Sequence, residues 1–112
     1  MAEIRKGKGW YNCKVDGKVN FEIEIMINGN VFTGRVFNEE SKFPEARIEN
    51  GKITDDAMTF TKKYPKEVDS SIYYTLKKSG QNNFIGGWRK VVIDFIDNDV
   101  FSAENAAGII FG

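Results

Sequence analysis

An all-β fold, an antiparallel up-and-down meander of about eight strands curled into a small closed barrel, is the architecture this sequence predicts. Three observations lead there: turn signals recur at a nearly even spacing, the segments between them alternate apolar and polar residues, and no long amphipathic helical pattern interrupts them. At 112 residues the chain is long enough for one core and too short for two, so residues 1–112 are read as a single domain. Consecutive hairpins make sequential strands neighbours, and closing the meander removes the exposed edges that an open sheet would carry, with an open sandwich as the alternative.

The turn signals come first. Asp16-Gly17, Asn28-Gly29 and Asn50-Gly51 are dipeptides that accept positive φ at both central positions, as a tight I′ hairpin turn requires. Asn38 to Ser41, Pro65 to Ser70, Ser79 to Asn82 and Asp97 to Asp99 complete the series, and seven turns separate eight segments.

The first segment opens on Trp10-Tyr11 and holds the lone cysteine, Cys13. In the second, Val19, Phe21, Ile23, Ile25 and Ile27 alternate with Asn20, Glu22, Glu24 and Met26, which describes a strand with one wet face. Phe32, Gly34 and Val36 oppose Thr33 and Arg35 in the third. Met58 and Phe60 alternate with Thr59 and Thr61 in the fifth, which Tyr64 ends, and Ile72, Tyr74 and Leu76 alternate with Ser71, Tyr73 and Thr75 in the sixth. The seventh runs from Asn83 to Ile96, and its alternation slips: Phe84 and Trp88 share one parity, Val91, Ile93 and Phe95 the other. A β-bulge at Gly86-Gly87 would absorb the extra residue. After Asp99, Val100 and Phe101 begin a short strand, Ser102 to Ala107 read as one helical turn, and Ile109 to Phe111 as a last strand or a docked tail.

Composition narrows the function. Sixteen basic residues balance sixteen acidic ones, so no overall field draws in nucleic acid or anionic membranes, and neither nucleic-acid binding nor membrane insertion is expected. The basic pairs Lys62-Lys63, Lys77-Lys78 and Arg89-Lys90 are read as solvated strand ends. One cysteine allows no internal disulfide, which points to a reducing, cytoplasmic setting, with secretion the alternative if a signal segment has been removed.

With no histidine, the usual proton shuttle and the commonest transition-metal ligand are missing. No catalytic residue, metal ligand or cofactor is assigned. Asp55-Asp56 reads as a solvated turn, and the Asp94, Asp97, Asp99 cluster lacks the glycine and distal glutamate of a calcium loop. A barrel enzyme would need tyrosines, an arginine and a carboxylate converging inside, and Glu22 and Glu24 point outward.

The aromatic residues offer a different kind of site. Trp10, Tyr11, Tyr74 and Trp88 supply contact surface for a small apolar or aromatic ligand at one mouth of the barrel, with Arg89 as a charged or hydrogen-bonding anchor. Against this, the inward candidates Phe21, Ile23, Ile25, Phe32, Met58, Phe60, Tyr74, Leu76, Phe84 and Trp88 crowd an eight-stranded interior, which holds side chains or one small ligand but hardly both. Inward glycines at 34 and 86 would leave room.

Gly9-Trp10 near the start, preceded by Gly7-Lys8, and Gly87-Trp88-Arg89 late in the chain resemble the calycin group, the avidin-like and lipocalin-like barrels. The resemblance implies a ligand-binding barrel in which Trp10 packs beneath the basic side chain of Arg89. The expected function is therefore noncatalytic binding of a small apolar or aromatic ligand. The alternative is an interaction or structural module with a filled core, acting through its outer surface or as a homo-oligomer, with Val31, Phe37, Met26 and Ile109 to Phe111 as its apolar patch.

Overall fold

The computed structural model describes residues 2–14, 17–40, 45–66, 70–93 and 100–112. Eight antiparallel strands follow in order: β1 (Glu3–Cys13), β2 (Gly17–Asn28), β3 (Val31–Phe37), β4 (Glu45–Ile53), β5 (Ala57–Lys63), β6 (Ser70–Lys78), β7 (Asn83–Ile93) and β8 (Val100–Phe111). Each pairs with the next, and β8 pairs back onto β1 from Gly7↔Phe111 to Tyr11↔Ala107, so the meander is a closed barrel. Among the described residues no helix is long and apolar enough to cross a membrane.

The alternation of β2 sets the inside. Val19, Phe21, Ile23, Ile25 and Ile27 are buried, while Glu24 lies outside, between Lys6 and Arg35. All ten residues expected inside are in the core, joined by Val36, Ile48, Ile109 and Phe111 among others. Phe60 and Tyr74 stack with centroids 4.6 Å apart, Phe21 meets Tyr74 edge-on, and Phe32 meets Phe60 likewise. Burial of this apolar surface is the main favourable term, at roughly 25 cal/mol per Å² removed from water.

Several sequence expectations are corrected. Asn50-Gly51 is not a hairpin turn. It lies inside β4, where the ladders to β3 and β5 both slip by one residue and Asn50 takes φ 53, the signature of a bulge. The β4–β5 turn is instead Thr54 to Asp56, where the Thr54 hydroxyl accepts from the amides of Asp56 and Ala57, and Asp55 and Asp56 are solvated as expected. Between β2 and β3 the two-residue loop is Gly29-Asn30, with positive φ at Gly29 alone, the pattern of a II′ turn.

No bulge occurs at Gly86-Gly87. The ladder of β7 to β6 runs unbroken from Phe84 to Val92 and that to β8 from Asn83 to Ile93, so Val91 falls on the face opposite Trp88. Residues 102–107 continue β8 and form no helical turn. Phe95 and the Asp94, Asp97, Asp99 cluster lie outside the described residues.

Gly34 and Gly86 leave no room inside. A Cβ on Gly34 would sit 2.2 Å from the Glu24 carbonyl oxygen, and one on Gly86 2.1 Å from that of Thr75. These glycines permit close approach of neighbouring backbones. Gly9 does make space, and the ring of Phe21 fills it.

Candidate functional site

In an antiparallel meander the C-terminal ends of β1, β3, β5 and β7 lie at the same end of the barrel, and the most unusual chemistry among the described residues lies there. Alternation along β5 carries Met58, Phe60 and Lys62 to the inside, so a lysine follows two core residues into the barrel. The side chain of Lys62 is only 1 % exposed, which corrects its reading as a solvated strand end. Its Nζ lies 2.9 Å from Glu39 Oε1, and the Glu39 side chain is equally buried.

Glu39 arrives from the connection after β3. Asn38 adopts a left-handed conformation with φ 51, and the chain beyond it is tied to β2 by the Glu40 amide, which donates to the Asn20 carbonyl. Glu40 stays outside, where its carboxylate accepts from the amide and side chain of Asn20, contacts that hold its pKa below the ordinary value. Two adjacent glutamates thus have opposite fates.

Among the described residues, three donors converge on Glu39. Besides Lys62, the Tyr64 hydroxyl lies 2.8 and 2.7 Å from its two oxygens, and the Tyr11 hydroxyl donates to Oε2 at 3.0 Å. The ammonium is also ringed by aromatic faces, 4.4 Å from the centroid of Tyr11, 5.0 Å from Tyr64, 5.3 Å from Phe21 and 5.5 Å from Tyr74. Each face presents the negative side of its quadrupole to the charge.

Burial drives the protonation behaviour of the cluster. Desolvation pushes the Lys62 ammonium below its ordinary pKa, opposed by the charge and hydrogen bond of Glu39. The Tyr64 and Tyr74 phenols are pushed well above theirs, first by burial and then by the adjoining carboxylate. Tyr74 is 1 % exposed, and its hydroxyl has no hydrogen-bond partner among the described residues.

The five residues singled out for ligand contact divide between two faces. Tyr11, Tyr74 and Trp88 are brought together inside: Trp88 meets Tyr11 edge-on at 5.8 Å, and its indole N–H donates to the Asn12 carbonyl at 2.9 Å. Trp10 lies on the outer face, covering Gly108, with Lys18 over its ring. Arg89 is also outside, its guanidinium 5.5 Å from the Tyr73 ring. The pairing of Trp10 with Arg89 implied by the calycin resemblance is replaced by these separate partners. Arg89 and Tyr73 instead line an open groove of about 620 Å³ floored by Gly86 and Gly87.

Sequence reasoning missed Glu39 and Lys62, and gave Tyr64 no role. The parity of Met58, Phe60, Lys62 and Tyr64 was the available signal for two of them. Nothing local separates Glu39 from Glu40.

Chemically, the arrangement is an ammonium and phenolic donors fixed around one carboxylate in an apolar, aromatic wall. Its two charges satisfy each other, and removing either one would leave the other buried and unpaired. The closed, eight-stranded antiparallel meander is consistent with a calycin-like architecture. Comparison with protein-family models, curated proteins and solved structures returns no match for this chain.

Proposed function

We propose that the protein is a noncatalytic binding domain for a small aromatic or apolar ligand, taken at the barrel end where Glu39, Lys62 and Tyr64 lie. The observation that carries this reading is the convergence of a buried ammonium, a carboxylate and tyrosine hydroxyls under one mouth, beside the rings of Tyr11, Tyr74 and Trp88. Tyr11 is only half-buried and forms the ligand-facing surface. Eight-stranded barrels either fill with side chains or hold one small ligand. Because the described interior is densely filled, the ligand is small and sits above the cluster, not deep in the barrel.

The two indoles make the test direct, since Trp88 is inside and Trp10 outside. A panel of phenol, indole and benzamide, with native mass spectrometry of the freshly purified protein, is expected to give a saturable shift of the Trp88 indole N–H resonance while that of Trp10 stays in place. Probes that move neither indole, together with a protein that carries no retained small molecule, would overturn the reading.

One observation favours a second reading, an interaction module acting through the outer face. Ile4 and Met26 lie directly opposite each other on β1 and β2 and are 63 % and 51 % exposed, with Val31 nearby at 55 %. Of the residues expected in such a patch, Met26, Val31 and Ile110 are exposed, whereas Ile109 and Phe111 belong to the core and Phe37 is half-buried beside Arg35.

A further inference from the structure

We propose that Lys62, Tyr11, Tyr64 and Tyr74 form a receptor for the carboxylate of a small aromatic monoacid, and that Glu39 is its built-in competitor. This rests on the ligand-binding reading above and names the chemistry of the ligand.

The argument begins with where the groups are anchored. Lys62, Tyr11 and Tyr74 project from strands β5, β1 and β6, so the backbones of three donors are fixed by the barrel wall, and Tyr64 is the first residue after β5. The acceptor comes from outside that wall, two residues beyond β3. Three donors anchored on strands and an acceptor on a connection make the carboxylate the exchangeable partner. The Glu39 side chain can turn outward while the strand-borne donors keep their places.

The count of donors points the same way. Glu39 takes Lys62, Tyr64 and Tyr11, yet leaves the Tyr74 hydroxyl unpartnered among the described residues, although its charge acts on that phenol. A carboxylate accepts about four hydrogen bonds. One that is free of the Glu39 backbone can settle where all four donors reach it.

Charge and shape select the ligand class. With Glu39 turned out, the site holds one buried positive charge, Lys62, which one carboxylate neutralises. A phosphate or dicarboxylate would bring a second negative charge with no partner, a strongly unfavourable burial. The rings of Tyr11, Phe21, Tyr74 and Trp88 around the donors favour a flat aromatic body over an aliphatic one.

A tethered competitor lowers apparent affinity, because a side chain on a short tether acts at an effective concentration on the order of millimolar or more. Removing it must therefore strengthen carboxylate binding. The experiment follows thermal unfolding and the Trp88 indole resonance in wild type, Glu39→Ala and Glu39→Gln during titration with sodium benzoate, against sodium chloride at equal ionic strength. Glu39→Ala is expected to melt lower than wild type and to recover saturably with benzoate, with a midpoint at least tenfold below that of wild type. Glu39→Gln, which keeps the side-chain volume, covers the case in which the alanine variant does not fold, and its midpoint is also expected below that of wild type. If neither variant folds unaided, refolding yield with and without benzoate is the readout, and yield that rises with benzoate alone supports the receptor.

Adding Lys62→Met to either variant should abolish the response. A response no larger than that to chloride, or one that survives loss of Lys62, overturns the proposal. The two readings fail separately. Wild type that binds phenol or indole at Trp88, with glutamate variants indifferent to benzoate, keeps the binding domain and removes the carboxylate receptor. Benzoate binding that strengthens in Glu39→Ala, in a protein whose wild type is indifferent to phenol and indole, keeps the carboxylate receptor and removes the wider aromatic-binding reading.

Discussion

Lys62 and Glu39 meet 2.9 Å apart with each side chain only 1 % exposed, a lysine and a glutamate that have both left water for the same few ångströms of barrel interior. Breaking such a pair strands one charge, whereas replacing both members with apolar groups is often neutral or stabilising. Lys62→Met is expected to destabilise the protein by about 3 kcal/mol in urea titrations, and Glu39→Leu combined with Lys62→Met to recover most of that loss. A double variant as unstable as the sum of its parts would show that the two charges do not act as a pair.

The alkaline limb of stability has a shape set by the same cluster. Because the folded pKa of Lys62 lies below the ordinary 10.5, the unfolded chain binds more protons between those two values, and stability rises with pH across that window. Tyr64 and Tyr74 act in the opposite sense. Their folded values lie above 10.0, so above about pH 10 the unfolded chain ionises first and stability falls. Each group changes the slope by at most about 1.4 kcal/mol per pH unit. Denaturant titrations from pH 8 to 11.5 should show the rise vanish in Lys62→Met and the fall become shallower in Tyr74→Phe.

At neutral pH the Tyr74→Phe variant has a further expected property. Removing a buried hydroxyl that lacks a partner should leave the ligand-free protein as stable as wild type or better, by about 1 kcal/mol. The same substitution should weaken benzoate binding to Glu39→Ala. A clear loss of stability would mean that the hydroxyl is satisfied.

Neighbouring glycines of β7 should respond very differently to one methyl group. A Cβ at position 86 meets the Thr75 carbonyl oxygen at 2.1 Å, and one at position 87 meets that of Asn105 at 3.0 Å. Gly86→Ala is expected to cost about 3 kcal/mol or more, since backbone must move, and Gly87→Ala about 1 kcal/mol. Equal effects in thermal melts would contradict the strand geometry.

The outer patch gives a test of the interaction reading. Met26→Lys should leave the melting temperature within a few degrees of wild type, because the side chain is exposed. If the face mediates association, light scattering will show a smaller assembly for the variant. A monomeric wild type removes that reading.

Much of the fold was legible because period-two alternation survives tertiary packing, as in β2, where inward isoleucines and outward glutamates leave only one arrangement. Asn50-Gly51 misled for a physical reason: an I′ turn and a bulge both need a residue that tolerates positive φ, and local sequence does not distinguish them. The seventh strand misled because Val91 was taken for an inward residue, although half-buried valines also occupy outer faces. In the site, the aromatics Tyr11, Tyr74 and Trp88 were found by residue type. Lys62 was hidden by its charge, which outweighed the parity it shares with Met58 and Phe60. Glu39 was beyond reach, because its inward turn depends on the backbone of Asn38 and on donors that β1 and β5 bring from elsewhere in the chain.

The pairing of Gly7 with Phe111 closes the barrel between its first and last strands, across more than a hundred residues. Until β8 has been synthesised, β1 lacks its second partner, so a growing chain carries a sticky edge while β2 to β7 are made. Closure is then a single late event with a large loop to shut, and a slow one by the standards of local hairpins. Loss of the final strand would expose that edge permanently and turn a self-contained barrel into a template for its own aggregation.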